Sequence, residues 1–148
     1  MPRRARAAAM NMIPTSTGAA VAVGEVLPDL KGKLDGSSIR VPTPNVSMAI
    51  LNLNLETGTS REEINEYLRQ TAMHSELHKQ IDYVNSQEVV STDFVGSRHA
   101  GVVDAEATIA NDNRVVLYVW YDNEFGYSCQ VVRVMEDMAG VNPPAFPR

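Results

Sequence analysis

Thr17 and Gly18, within Pro14-Thr15-Ser16-Thr17-Gly18-Ala19-Ala20, and Arg40, opening Arg40-Val41-Pro42-Thr43-Pro44-Asn45-Val46, are residue types that hold an anion. Thr17 stands where a helix should begin, with Gly18-Ala19-Ala20-Val21-Ala22-Val23 continuing it. The first amides of a helix have no partner within it, and the positive end of its dipole favours negative charge. Arg40 adds a planar, permanently charged fork that matches phosphate oxygens two at a time. The pair reads as a phosphate cradle made from two stretches of chain. The same residues equally fit a Thr-capped helix and an ordinary strand arginine, because Thr and Ser are common N-caps.

The other reactive side chains form weaker patterns. Cys129 is the one cysteine, one residue after Ser128 on an expected helix. A nucleophilic thiolate needs a helix N-terminus or a neighbouring base, and the sequence around Cys129 supplies neither, so it is read as non-catalytic. His74 and His78 are four apart, a spacing that puts two metal ligands on one helix face. No third ligand follows at a fitting distance, and a zinc site needs three or four, so no metal site is expected. Ser75, Glu76, Lys79 and Gln80 make the stretch a solvated face. His99 reads as a loop residue. Asp104 and Glu106 alternate as on a strand and look structural, and Trp120 reads as core or interface packing.

The elements that must position these residues alternate between helix and strand without the rhythm of βαβ units. A helix is expected from Thr17 to about Leu27, stopped by Pro28 and the Lys31-Gly32-Lys33 turn. Ile39 and Val41 begin an extended segment that Pro42 and Pro44 keep out of helix. From Val46 to Leu55, Leu51, Leu53 and Leu55 alternate with Asn52 and Asn54, which is strand periodicity. Ser60-Arg61-Glu62-Glu63 is a capping box that opens a helix. Ile64, Tyr67, Leu68 and Thr71 should form its packing face.

Further on, Val89-Val90-Ser91-Thr92 and Gly101-Val102-Val103-Asp104 look extended. Thr108-Ile109-Ala110 and Val115 to Tyr121 flank Asn111-Asp112-Asn113-Arg114, a hairpin turn. A last helix should run from Asn123 or Glu124 through Met138, ended by Gly140 and the prolines beyond.

Length and composition set the frame. The chain has 148 residues, 44% hydrophobic and 21% charged, which is ordinary globular composition. A chain of this size buries about 70% of its extended surface as one unit. Residues 1–140 are expected to form that unit, and residues 141–148, with three prolines, a tail. The net charge of −5 argues against nucleic acid, and Arg3, Arg4 and Arg6 make only a short basic cluster. No run approaches the ~18 apolar residues of a membrane span. The N-terminus, Met1 to Met10, is read as core sequence and not as a targeting peptide. A single cysteine permits no intrachain disulfide, in keeping with a reducing cytoplasm.

Five blocks carry a resemblance to one family. Arg3-Arg4-Ala5-Arg6-Ala7-Ala8-Ala9, Pro14 to Ala20, Leu30-Lys31-Gly32-Lys33-Leu34-Asp35-Gly36, Arg40 to Ser47 and Trp120 to Ser128 resemble phosphorylating glyceraldehyde-3-phosphate dehydrogenase. They fall in the order and approximate spacing of its catalytic domain. The resemblance implies an α+β fold, an open, mostly antiparallel mixed sheet with helices on one face. It implies that Thr17 and Gly18 bind inorganic phosphate or the substrate's own phosphate, with Arg40 similarly placed. Arg4 matches an arginine that serves the anion sites. Asn123 matches an asparagine that hydrogen-bonds the nicotinamide carboxamide, and Tyr127 a tyrosine beside that ring.

The family's nucleotide-binding half, its Ser-Cys-Thr-Thr-Asn nucleophile segment and its catalytic histidine lie upstream and have no match here. The resemblance therefore implies a catalytic-domain portion with no catalytic residue of its own, inactive alone. Its parent activity is the oxidation and phosphorylation of glyceraldehyde 3-phosphate with NAD or NADP in cytoplasmic glycolysis. The partners implied are the phosphorylated aldehyde, inorganic phosphate, the upstream half and further copies in a tetramer. Val131, Val134, Met135 and Met138 form a helical stripe that should favour self-association when it lacks that half. The alternatives are a non-catalytic phosphate-binding module and a scaffold that uses the oligomer face.

Overall fold

The computed structural model describes residues 6 and 8–141, so the Arg4 expectation and nearly all of the expected tail lie outside the described residues. Two compact units emerge, residues 1–44 and residues 45–148.

The first unit is built on a two-stranded antiparallel ribbon. Strand β1 (Ile13–Ser16) pairs with β2 (Ser37–Arg40), and helix α1 (Ala19–Val26) lies between them in sequence. The helix starts two residues later than Thr17: Gly18 is its N-cap, and the Thr17 hydroxyl accepts the Ala19 amide at 3.2 Å. Pro28 opens a short 3₁₀ turn, Pro28–Leu30, which ends α1 as expected. The chain then returns so close to α1 that a Cβ on Gly24 would lie 3.2 Å from Lys31 Cα. Val41 lies just beyond the end of β2.

The second unit is an open mixed sheet with order β3-β7-β5-β4, while β6 also pairs with β7. Its strands are β3 (Ser47–Asn54), β4 (Ile81–Val84), β5 (Gly101–Asp104), β6 (Ile109–Asn111) and β7 (Arg114–Tyr121). All pairings are antiparallel except β4 with β5. With α1, α2 (Arg61–His74) and α3 (Phe125–Met138), this is the expected α+β class. Strand β7 organises the sheet. One edge pairs with β3 along its whole length, and the other is shared between β6 and β5. The β6–β7 turn is closed by Asp112 at φ 54, a left-handed conformation that Asp tolerates.

The capping box opens α2 as its sequence dictates. Ser60 Oγ accepts the Glu63 amide, and the Glu63 carboxylate accepts the Ser60 amide. Ile64, Leu68 and Thr71 are half-buried and Ala72 is buried, but Tyr67 is 67% exposed and leaves the expected packing face. The Arg61 guanidinium and the Asn65 amide tie α2 to the carbonyl of Ala105. Asn65 thus takes the inner position that Tyr67 was expected to hold.

Two further expectations change. Residues 89–92 form no strand, because the Asp93 carboxylate takes the Val90 amide at 2.7 Å and closes a 3₁₀ turn over Ser91–Phe94. The strand of this region is β4, whose Ile-Asp-Tyr-Val run has no apolar alternation and pairs on one side only. Glu106 lies in the turn after β5, and Arg61 meets it there at 3.2 Å. Trp120 is core, as read from sequence. Its ring stacks on Phe94 with centroids 5.2 Å apart, and its Nε1 donates to Asp104 Oδ2 at 3.0 Å. Val46, Phe94 and Val102 centre that core.

Candidate functional site

Of the residues singled out from sequence as ligand-binding, Thr17, Gly18 and Arg40 lie on the ribbon of the first unit, and Asn123 and Tyr127 lie at the β7–α3 junction of the second. In the ribbon, Ile13 stands opposite Arg40 and Ser16 opposite Ser37. Arg40 therefore sits at one end of the ribbon, and Thr17 follows the other. At ~3.4 Å per residue the backbone ends are about 10 Å apart. Thr15 and Ser38 bridge the middle, their hydroxyls 2.8 Å apart. Thr17, Gly18 and Arg40 are all exposed. At the start of α1 the Thr17 hydroxyl fills only the Ala19 amide. The amides of Ala20 and Val21 have no acceptor within the helix, as at any helix start.

The second cluster surrounds the junction between β7 and α3. Asp122 is its anchor and is 2% exposed. One carboxylate oxygen accepts the amides of Glu124 at 2.9 Å and Phe125 at 2.8 Å, so Asp122 caps α3. The other accepts the Gly96 amide at 2.8 Å and the Asn45 side-chain amide at 3.2 Å. The Gly96 hydrogen bond leads the interactions that hold this carboxyl below the usual range. Burial opposes them, and the Glu124, Phe125 and Asn45 donors add to the lowering. Loop 96–99 is thereby fixed against α3, where a Cβ on Gly126 would meet the carbonyls of His99 at 2.9 Å and Ser97 at 3.0 Å. Gln130 reinforces the contact by donating to the Arg98 carbonyl at 2.8 Å.

Asn123 and Tyr127 stand on this anchored junction, both exposed. The Asn123 side-chain oxygen accepts a hydrogen bond from the Ser47 hydroxyl at 3.1 Å. The Tyr127 amide closes a turn onto the Asp122 carbonyl at 3.3 Å. Sequence reasoning passed over Asp122, although an Asp two residues ahead of a helix's N-cap, in Trp-Tyr-Asp-Asn, offers a carboxylate to the first amides. Cys129 lies in the second turn of α3, half-buried. His74 ends α2, whereas His78 lies in the 3₁₀ turn Glu76–Lys79 with its ring nitrogen 2.8 Å from the Ser75 carbonyl oxygen. His99 is a loop residue, 3.4 Å from an Asp82 carboxylate oxygen. Among the described residues no helix is long and apolar enough to cross a membrane.

The chain is thus an α+β protein with exposed donors at the start of α1 and a hydrogen-bonded Asp122-Asn123 pair just before its last helix. The family model for the glyceraldehyde 3-phosphate dehydrogenase C-terminal domain matches residues 1–123, and the chain belongs to that family. A glyceraldehyde-3-phosphate dehydrogenase-like protein of Pseudomonas aeruginosa (strain UCBPP-PA14) is 83% identical over 146 residues, 99% of this chain and 32% of that protein. Glyceraldehyde-3-phosphate dehydrogenase 2 of Mucor circinelloides f. lusitanicus is 49% identical over 97% of this chain and 42% of its own length. Glyceraldehyde-3-phosphate dehydrogenase 2 of Bacillus subtilis (strain 168) is 45% identical over 93% of this chain and 40% of its own length. The chain thus spans between 32% and 42% of the length of these relatives.

Proposed function

We propose that this chain is the phosphate- and nicotinamide-side portion of a phosphorylating glyceraldehyde-3-phosphate dehydrogenase. Bond-making groups come from an upstream half. The observation that carries the reading is the exposed α1 start, where Thr17 and Gly18 precede amides with no helical acceptor. Arg40 at the far end of the ribbon supports two anion positions rather than one. These suit inorganic phosphate and the phosphate of the aldehyde substrate, and Arg4 is assigned to the same work. Asn123 and Tyr127 are assigned to the nicotinamide of NAD or NADP, which supplies the hydride acceptor when bound.

Each of these roles is charge neutralisation or positioning. Fixed donors hold a phosphorylated aldehyde in place and lower the entropic part of the barrier. No residue here is assigned as nucleophile or base, so the chain alone is inactive. Residues 1–140 act as one catalytic-domain portion, in a cytoplasmic enzyme. The exposed stripe of Val131, Val134, Met135 and Met138 supports assembly with that half and with further copies.

A cofactor-reduction assay tests this reading, run on the chain alone and on the chain joined to the upstream part of the Pseudomonas relative. The joined protein should turn over, and Thr17→Ala, Arg40→Ala and Asn123→Ala should each reduce kcat/KM at least tenfold. Turnover by the chain alone, or full activity in all three variants, would overturn it.

A further inference from the structure

Asn123 is exposed at the junction of β7 and α3, where an unrestrained side chain would sample several rotamers. Three consecutive residues that lead into β3 restrain it. Asn45 donates to the Asp122 carboxylate that brackets the Asn123 backbone. Ser47 donates to the Asn123 side-chain oxygen at 3.1 Å. Val46 between them is buried and holds φ at 70°, a left-handed conformation that a β-branched residue rarely adopts. Strain of that kind persists where the surroundings over-determine it. Here the turn at Val46 sends the Asn45 amide to Asp122 and the Ser47 hydroxyl to Asn123. Ser47 also stands in register with Tyr121 of β7, so the sheet fixes the distance across which this bond forms.

We propose that Ser47 is a positioning residue for Asn123, holding its carboxamide with the N–H donors turned outward toward a carbonyl acceptor on the cofactor. The inference rests on the reading that Asn123 meets the nicotinamide carboxamide, and it specifies which atom of that group is met: the oxygen. The Ser47 hydrogen bond keeps the Asn123 oxygen on the β3 side, so the two N–H donors of the same planar carboxamide face the other way, toward a ligand. The gain is one side chain ordered before binding, which corresponds to about a three- to tenfold difference in affinity.

The test measures dissociation constants for NAD and for ADP-ribose, which lacks the nicotinamide, in this chain joined to the upstream part of the Pseudomonas relative. Ser47→Ala should weaken NAD about three- to tenfold with ADP-ribose unchanged, Ser47→Thr should restore NAD binding, and Ser47→Ala should add nothing to Asn123→Ala. In the 148-residue chain, Ser47→Ala should also average the Asn123 side-chain rotamers seen by NMR couplings while leaving the Asp122 neighbourhood unchanged. If Asn123→Ala weakens NAD but Ser47→Ala does not, the positioning role is overturned and the functional reading survives. Additive losses, or equal losses for ADP-ribose, would make Ser47 merely structural and overturn the role. If Asn123→Ala leaves NAD unchanged relative to ADP-ribose, the functional reading falls and this inference with it.

Discussion

The ribbon carrying Thr17, Gly18 and Arg40 and the junction carrying Asn123 and Tyr127 both expose these residues but are differently supported. Among the described residues before Asn45, Ile13 and Gly24 are the buried ones, and a two-stranded ribbon is marginal by itself. Asn123 instead follows a buried carboxylate with four hydrogen bonds and precedes a helix seated on loop 96–99. The ribbon donors stand on a lightly packed element, and those at the junction on one held by hydrogen bonds.

Asp122→Ala should therefore be the most damaging single change. It leaves two helix amides, the Gly96 amide and the Asn45 side chain without their acceptor, a loss of about 3 kcal/mol or more. Urea denaturation of the 148-residue chain would measure it. Gly126→Ala should follow at about 2 kcal/mol, because its Cβ meets two backbone carbonyls that cannot move without lifting the loop. Acid should separate the regions further. Asp122 has a folded-state pKa below its unfolded value, so its stabilisation is full above the unfolded value and is lost as pH falls through the folded one. Stability should drop below about pH 4, and the drop should be shallower in Asp122→Asn.

The ribbon variants should be mild. Thr17→Ala removes the acceptor for the Ala19 amide and should cost about 0.5–1 kcal/mol, visible as faster amide exchange in the first turn of α1. Arg40→Ala should stay within about 0.5 kcal/mol. If either cost as much as Asp122→Ala, the contrast between the two regions would fail.

Elements with local signatures were legible from the sequence. The Ser60–Glu63 capping box, strand β3, the Asp112 turn and the Gly140 helix end all appear where the sequence places them, although Leu51 is 41% exposed and the Leu-Asn alternation does not carry over into burial. Strand β4 was not legible, because four half-buried residues on a parallel edge carry no alternation. Residues 89–92 misled for the opposite reason: their β-branched run is overruled by one Asp93 hydrogen bond. At the site, the motif flagged Asn123 and Tyr127. The bonds of Asp122 to Glu124 and Phe125 are local, but its bonds to Asn45 and Gly96, like that of Ser47 to Asn123, are distant pairings that leave no local pattern.

We propose that the ribbon meets phosphate and that the α3 junction meets a different ligand. A titration of the 148-residue chain with inorganic phosphate, followed by amide NMR, tests it most directly. Saturable shifts confined to Thr17 through Val21 and the surroundings of Arg40, with Asn123 through Tyr127 unmoved, are the expected result. Saturable shifts centred on α3, or none at Thr17 through Val21 in a well-dispersed spectrum, would contradict it.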